Sequence, residues 1–341
     1  MKAEYIVGAM ILALAVFGGV WLLSTEKEAT GKGAEVGSTP YIEIVNPSGF
    51  VNSEGISLGE LIGKKVVLVE FLTYSCINCQ RTFPHVVSWY SKYRDEGLEI
   101  IGIHTPEFAF EKDINNVRKA MQEFGIEYPI VLDNAYATWN AYGNKYWPRK
   151  YLIDIQGNIV YDHIGEGAYE ETEAKIQELL RERAQVLGVS PGADTVGPME
   201  SAVRVSPIQA RSPETYFGSL RNENFGNGRQ NVSGTQTLAL PKSFVANTLY
   251  LEGVWNVQEE YAEAKGTASV AFKYDAAKVH LVASAPTPIK VTVLIDGVPT
   301  KTITISEERL YTLVDDEQAE AHLLELRVNT PGLRLYAFTF G

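Results

Sequence analysis

The sequence predicts an α/β domain followed by an all-β sandwich, both carried behind one N-terminal transmembrane helix. Three observations predict it. At 341 residues the chain is long enough for about two hydrophobic cores. Between residues 41 and 188 apolar strand-like runs alternate with helical patterns, which means a mixed sheet with helices on both faces. Beyond residue 213 that alternation gives way to seven short β-branched or aromatic runs separated by turns, the pattern of a β-sandwich. The 42 acidic residues outnumber the 30 basic ones, and the net charge of -12 argues against nucleic acid as a partner.

Residues 6–23 are an uncharged stretch of 18 residues, about 27 Å as a helix and enough for a bilayer core. Lys2 precedes it, and Glu26, Lys27 and Glu28 follow, so the chain should run with its amino end in the cytoplasm. A cleaved signal peptide has a shorter apolar region and an Ala-x-Ala site, which residues 21–29 lack, so an uncleaved anchor is expected over 1–23. Residues 24–40, polar and carrying Gly31, Gly33 and Gly37, read as a tether. Residues 41–57 suggest a small leading hairpin, and Ser57-Leu58-Gly59-Glu60 a cap opening a short helix that ends at Gly63. The run 66–72 reads as a buried parallel strand.

Further strands are expected over 98–104, 128–132, 150–155 and 159–163, and helices over 113–124, 135–142 and 170–187. Residues 189–213, with six prolines and glycines and no sustained periodicity, read as a linker between an α/β domain at 41–188 and a β-sandwich at 214–341. The seven runs of the latter are 248–255, 267–274, 278–284, 289–295, 301–306, 322–328 and 333–340.

The only two cysteines, Cys76 and Cys79, sit at the turn from strand 66–72 into a helix. Unpaired backbone N–H groups and the positive end of the macrodipole there favour an anion such as the Cys76 thiolate. Two intervening residues put Cys79 one helical turn on, within reach of a disulfide. Glu70 points inward from the strand, where a buried carboxylate can take a proton from Cys79 during exchange. A zinc site is the rival reading, but it needs four ligands and the sequence has no second CxxC and no HxxxH. A chain without other cysteines also keeps its dithiol free of wrong pairings.

Glu70, Cys76, Cys79 and Pro84 have the spacing of the thioredoxin superfamily, which this stretch resembles: an acidic strand residue, CxxC, then a helix proline five residues on. Four longer segments resemble the thioredoxin-like domain of the TlpA/DipZ-like family. They are Thr73-Tyr74-Ser75-Cys76-Ile77-Asn78-Cys79-Gln80-Arg81-Thr82, His104-Thr105-Pro106-Glu107-Phe108, residues 137–144, and Tyr146-Trp147-Pro148. The tail, from Ser212-Pro213-Glu214-Thr215-Tyr216 to Tyr336-Ala337-Phe338-Thr339-Phe340-Gly341, looks like that family's C-terminal β-sandwich.

The resemblance implies a thioredoxin-like fold for the first domain and a membrane-anchored, extracytoplasmic thiol-disulfide oxidoreductase. Its chemistry needs no cofactor beyond the redox-active disulfide Cys76–Cys79. Catalytic roles fall to Cys76, Cys79, Glu70 and Pro148, with the Trp147–Pro148 bond cis, and Trp147 and Tyr74 are the candidate substrate contacts. The expected substrates are extracytoplasmic protein disulfides. DipZ proteins carry a multi-helix CcdA-like electron-transfer domain at the amino end; this chain has one helix, so a separate CcdA-like membrane donor is the expected partner. The tail resembles carbohydrate-binding modules, and its ligand is a glycan or a protein. Trp255, Tyr250, Tyr261 and Tyr274 would form a sugar-stacking platform, unless they are core residues.

Two other chemistries compete. A peroxidase would use Thr73, three residues before Cys76, but Val69 stands where a proline is expected. A Sco-like copper-binding chaperone would add a histidine, His104 or His163, to the two thiolates, yet that family places three residues between its cysteines against two here. His85, on the CxxC helix, is a candidate modulator of Cys76, and Glu107 a candidate second carboxylate beside the dithiol. Ile77-Asn78 brings no cation next to Cys76, which points to a reductant rather than an oxidant.

Overall fold

The computed structural model describes residues 34–192 and 210–341. The first domain is built on β3 (Val66–Leu72), a run of Val, Leu and Phe broken only by Glu70 and buried along its whole length. Five helices flank the sheet: α1 (Leu58–Leu61), α2 (Ile77–Tyr93), α3 (Ile114–Glu123), α4 (Ala137–Ala141) and α5 (Tyr169–Leu187). The other strands are β1 (Ala34–Pro40), β2 (Gly49–Val51), β4 (Leu98–His104), β5 (Ile130–Leu132), β6 (Arg149–Ile153) and β7 (Asn158–Ile164), in the spatial order β1-β7-β6-β3-β4-β5-β2. β3 runs parallel to β4 and antiparallel to β6.

Side chains alternate across β3, as a strand's period of two requires. Val66, Leu68 and Leu72 pack with Phe83, Val86 and Trp89 of α2 and Ile176, Leu179 and Leu180 of α5. Val67, Val69 and Phe71 pack with Leu58 of α1 and Trp139 of α4. Glu70 thus belongs to the α2 side, the side on which the cysteines lie.

Two expectations at the amino end fail. No hairpin forms over 41–57: only β2 is a strand there, and it pairs with β5 because the chain crosses the domain before reaching α1. Residues 34–40, expected as tether, run antiparallel along β7 and extend the sheet. The N-cap Ser57 makes no capping bond with its side chain; Glu43 instead accepts from the N–H groups of Leu58 and Gly59, each at 2.9 Å, which lowers the Glu43 pKa against the effect of its burial. The expected transmembrane segment 6–23 lies outside the described residues, as does most of the expected linker. Among the described residues no helix is long and apolar enough to cross a membrane.

The second domain is all β: β8 (Thr215–Tyr216), β9 (Gly234–Leu238), β10 (Leu249–Val257), β11 (Ala262–Ala264), β12 (Ala268–Ser284), β13 (Ile289–Ile295), β14 (Val298–Ile305), β15 (Arg309–Val328) and β16 (Arg334–Phe340). Two expected runs, 267–274 and 278–284, are one strand of 17 residues, since the break between them is a bulge at Ala276–Lys278. The bulge bends β12 so that its first half pairs with β10 and its second with β16, and β11 joins β10 to β16. The sheet closes on itself around Trp255, Phe272, Tyr274 and Phe338. Trp255, Tyr250 and Tyr274 are buried, and Tyr261 packs against Tyr336 near the domain contact. The four do not make an open stacking platform.

The domains share apolar core. Val282, Leu310, Tyr336 and Ala337 of the second join the main cluster of the first. Phe108 and Phe110 meet the Tyr336 ring edge-on at 5.2 and 4.9 Å between centroids. Polar contacts surround this centre: Ala109 N–H donates to Glu260 at 2.8 Å, Asn116 Nδ2 to Glu308 at 2.9 Å, and Lys119 pairs with Glu307 at 2.6 Å.

Candidate active site

β3 ends at Leu72, the chain turns through Thr73, Tyr74 and Ser75, and Cys76 becomes the N-cap of α2 with extended backbone (φ -75°, ψ 121°). Its sulfur is part-exposed and lies 3.9 Å from the Trp147 carbonyl oxygen, and the Trp147–Pro148 peptide is cis. Cys79, one turn along α2, is buried; both thiols are free. Burial above all, then its hydrogen bond to Cys76 and the negative charge of Cys76 and Glu70, push the Cys79 thiol well up, opposed by the Thr73 backbone N–H. Accessibility therefore makes Cys76 the attacking sulfur, and Cys79 waits behind it as a thiol.

Behind Cys79 lies a buried acid-base group. Glu70 accepts from the Tyr128 hydroxyl at 3.1 Å through one carboxylate oxygen, while the other, also buried, has no partner among the described residues. Burial raises the Glu70 carboxyl to about 7, against the opposing pull of Lys150 and the Tyr128 hydrogen bond. Lys150 is the direct cross-strand partner of Glu70. Its ammonium donates to the Gly165 carbonyl at 3.2 Å, and burial lowers it to about 8 although Glu70 and Cys79 draw it up. A carboxyl poised near neutrality beside a buried thiol is suited to exchange a proton with it.

Trp147, a candidate substrate contact, is held by its indole N–H on the Thr105 carbonyl at 3.1 Å and by packing on Trp139, 4.3 Å between centroids. It borders a cleft of about 380 Å³ whose other walls include Tyr136, Glu107 and, from the second domain, Tyr216, Leu220 and Arg221. Tyr74 is brought elsewhere. Its ring is buried against His104 (5.7 Å) and its hydroxyl donates to the Glu308 carbonyl at 3.3 Å, so it serves the domain contact rather than an open surface beside Cys76. Glu107 likewise faces the second domain, paired with Arg221 at 2.8 Å and accepting from the Tyr216 hydroxyl at 3.0 Å.

The histidines are structural in their surroundings. His85 stacks on Tyr169 at 3.6 Å, and burial, then the Lys150 charge, lowers it to about 4. His104 is fully buried and lowered by that burial to about 3, and His163 shares a hydrogen bond with the Glu166 carbonyl at 3.1 Å. Among the described residues no group of three or more His, Cys, Asp or Glu is arranged to hold a metal.

Two residues of the site escape sequence reasoning. Lys150 stands at the start of the expected strand 150–155, where a lysine is ordinary, and only the register sets it opposite Glu70. Glu111 carries no signal beyond being acidic. Its carboxylate is fully buried and accepts from the hydroxyl of Ser75 at 2.7 Å and the N–H of Glu107 at 2.6 Å, among others.

The chain is similar to several known proteins. Residues 49–180 match the Redoxin family and residues 212–341 the family described as Thioredoxin like C-terminal domain. Protein DipZ of Mycobacterium bovis and of Mycobacterium tuberculosis is 39% identical over 299 residues, 86% of this chain and 42% of DipZ, so the chain spans about two fifths of that relative's length. The thiol-disulfide oxidoreductase ResA of Halalkalibacterium halodurans is 34% identical over 134 residues, 39% of this chain and 72% of ResA. A solution structure of a thioredoxin-like protein in the oxidized form is 26% identical, with a TM-score of 0.40, covering 42% of this chain and 97% of that one. With a CxxC at the N-terminus of α2, a buried glutamate behind it and DipZ and ResA as relatives, the chain belongs to the thioredoxin superfamily and is DipZ/TlpA-like, with an all-β C-terminal domain.

Proposed function

We propose that the chain is a membrane-anchored, extracytoplasmic reductase of protein disulfides. The observation that carries the chemistry is the graded burial of the dithiol, with Cys76 part-exposed against the Trp147 carbonyl and Cys79 buried in front of Glu70. The Cys76 thiolate attacks one sulfur of a substrate disulfide; a mixed disulfide forms and the other substrate sulfur leaves as a thiolate. The Cys79 thiol gives its proton to Glu70 and attacks the Cys76 sulfur, which releases the second substrate thiolate and leaves Cys76–Cys79 oxidised. Two electrons pass to the substrate.

An extended substrate fits beside Trp147, whose backbone offers an edge for peptide pairing next to Cys76. The uncharged segment 6–23 and the charges around it support the anchor and the outward orientation. The oxidised enzyme then requires a reductant, for which a CcdA-like membrane donor is the partner we assign. The C-terminal domain's resemblance to carbohydrate-binding modules supports a glycan or protein ligand for it, at a surface other than its buried aromatics.

Replacing Cys79 by alanine should trap mixed disulfides through Cys76, and the Cys76→Ala, Cys79→Ala double variant should trap none. Equal recovery from both would end the reading. Redox-buffer titration decides direction: a potential at or below about -250 mV fits a reductase, and one near about -120 mV an oxidase.

A further inference from the structure

We propose that Glu111 is a positioning residue of the dithiol: its buried carboxylate fixes the turn that carries Cys76 and ties that turn to the loop on which the C-terminal domain docks. The proposal rests on the exchange chemistry above.

The carboxylate is saturated by donors from two sides. One oxygen accepts from the Thr73 hydroxyl (2.5 Å), the Ser75 hydroxyl (2.7 Å) and the Ser75 N–H (3.2 Å). The other accepts from the N–H groups of Glu107 (2.6 Å) and Phe108 (2.9 Å). Capping the short turn Ala109–Lys112 accounts for the second oxygen only. The first is turned away from that cap onto the two residues that flank Tyr74 and lead into Cys76. Thr73 matters twice, since its backbone N–H also serves the Cys79 sulfur.

A carboxylate is needed because it accepts at both oxygens and donates at neither. An amide of the same shape must aim its NH₂ either at the Ser75 N–H or at those of Glu107 and Phe108, so every placement sets donor against donor in a dry site. The same side chain reaches the domain contact. Glu107 goes on to Arg221 and Tyr216, and Phe108 to Tyr336, so the loop that Glu111 caps is the loop the second domain grips. Charge-assisted bonds of this kind are short and strong, which suits a fixed frame around a reacting sulfur.

The test uses the whole chain in single-turnover reduction of a peptide disulfide, with the denaturation midpoint measured in parallel. Glu111→Gln should slow the maximal rate about tenfold while leaving half-saturation by the peptide unchanged, and Thr73→Val, which removes one donor and keeps the carboxylate, should slow it about threefold. Glu111→Asp, charged but one methylene short, should recover part of the loss. A Glu111→Gln enzyme with a lowered midpoint but the wild-type rate would reduce Glu111 to a capping residue. If Glu111→Gln does not fold, Thr73→Val carries the test, and a wild-type rate for it overturns the proposal. Failure of the wild-type chain to reduce the peptide would instead overturn the exchange reading itself.

Discussion

Replacing Glu70 by glutamine should abolish a pH dependence of stability whose size follows from the burial of this one group. The folded chain holds the Glu70 proton up to about pH 7, whereas a carboxyl in the unfolded chain releases it near 4.5. Between those values the folded state binds more protons than the unfolded one, so stability is full below pH 4.5 and is lost as pH rises through 7. At about 1.36 kcal/mol per pH unit the loss from Glu70 comes to about 3 kcal/mol. The ionised carboxylate above pH 7 sits in a dry site with one hydrogen bond from Tyr128 and a buried lysine across the strand, which is why its charge costs stability rather than adding to it. Glu70→Gln keeps the shape and removes the titration. It also leaves Lys150 without the carboxylate that draws it up, so the lysine of the variant releases its proton at lower pH, and stability rises with pH in that window. Both effects tilt the variant's curve upward relative to wild type. Urea denaturation of the reduced chain at intervals from pH 4.5 to 8 measures the difference directly. Parallel curves for the two proteins would refute the assignment of a neutral-range proton to Glu70.

Three further outcomes follow from the same packing. Lys150→Met removes the cation that opposes the burial of Glu70, so the Glu70 carboxyl should titrate above 7 and the pH profile of single-turnover exchange should move upward; an unmoved profile would separate Lys150 from the proton transfer. Tyr336→Ala deletes the ring that Phe108 and Phe110 both pack against, which should cost about 3–5 kcal/mol and split thermal unfolding into two calorimetric transitions; a single, unshifted transition would contradict a shared core. Gly102→Ala puts a methyl group 2.5 Å from Ile130 Cδ1 and 2.9 Å from Leu72 Cδ2, an overpacking expected to destabilise by about 1–3 kcal/mol in urea denaturation, and a change below about 0.5 kcal/mol would mean that β4 yields freely.

Where one physical effect dominates, the sequence is legible. The largely apolar runs 66–72 and 98–104 coincide with β3 and β4, since central strands buried on both faces stay apolar over most of their length, with Glu70, Glu99 and His104 as the exceptions. The adjacency of Cys76, Cys79 and Glu70 is readable because a strand, a turn and a helix start fix all three locally, whereas Pro148 is assigned to the site only by the family resemblance. What long-range return of the chain decides is not readable. Glu107 and Glu111 are both loop acids, and only the fold shows that one meets Arg221 while the other reaches Thr73 across 38 residues of sequence. Lys150 looks like a solvated strand-end lysine until the register places it opposite Glu70. In the second domain Asp275, Ala276 and Ala277 read as a break between strands, whereas hydrogen bonding continues past them on both sides of a bulge.

The core common to the two domains bears on how such a protein is inherited and handled. Two separate family descriptions cover residues 49–180 and 212–341, which invites treating the halves as exchangeable parts. Yet Leu310 and Tyr336 are as much part of the first half's interior as Phe110 is. A first half made alone would present Phe108 and Phe110 to water, and a second half made alone Tyr336 and Leu310: adhesive patches that invite aggregation. A graft of either half onto another partner must therefore bring a matching aromatic face, and substitutions on one side of that face are tolerable only in company with changes on the other.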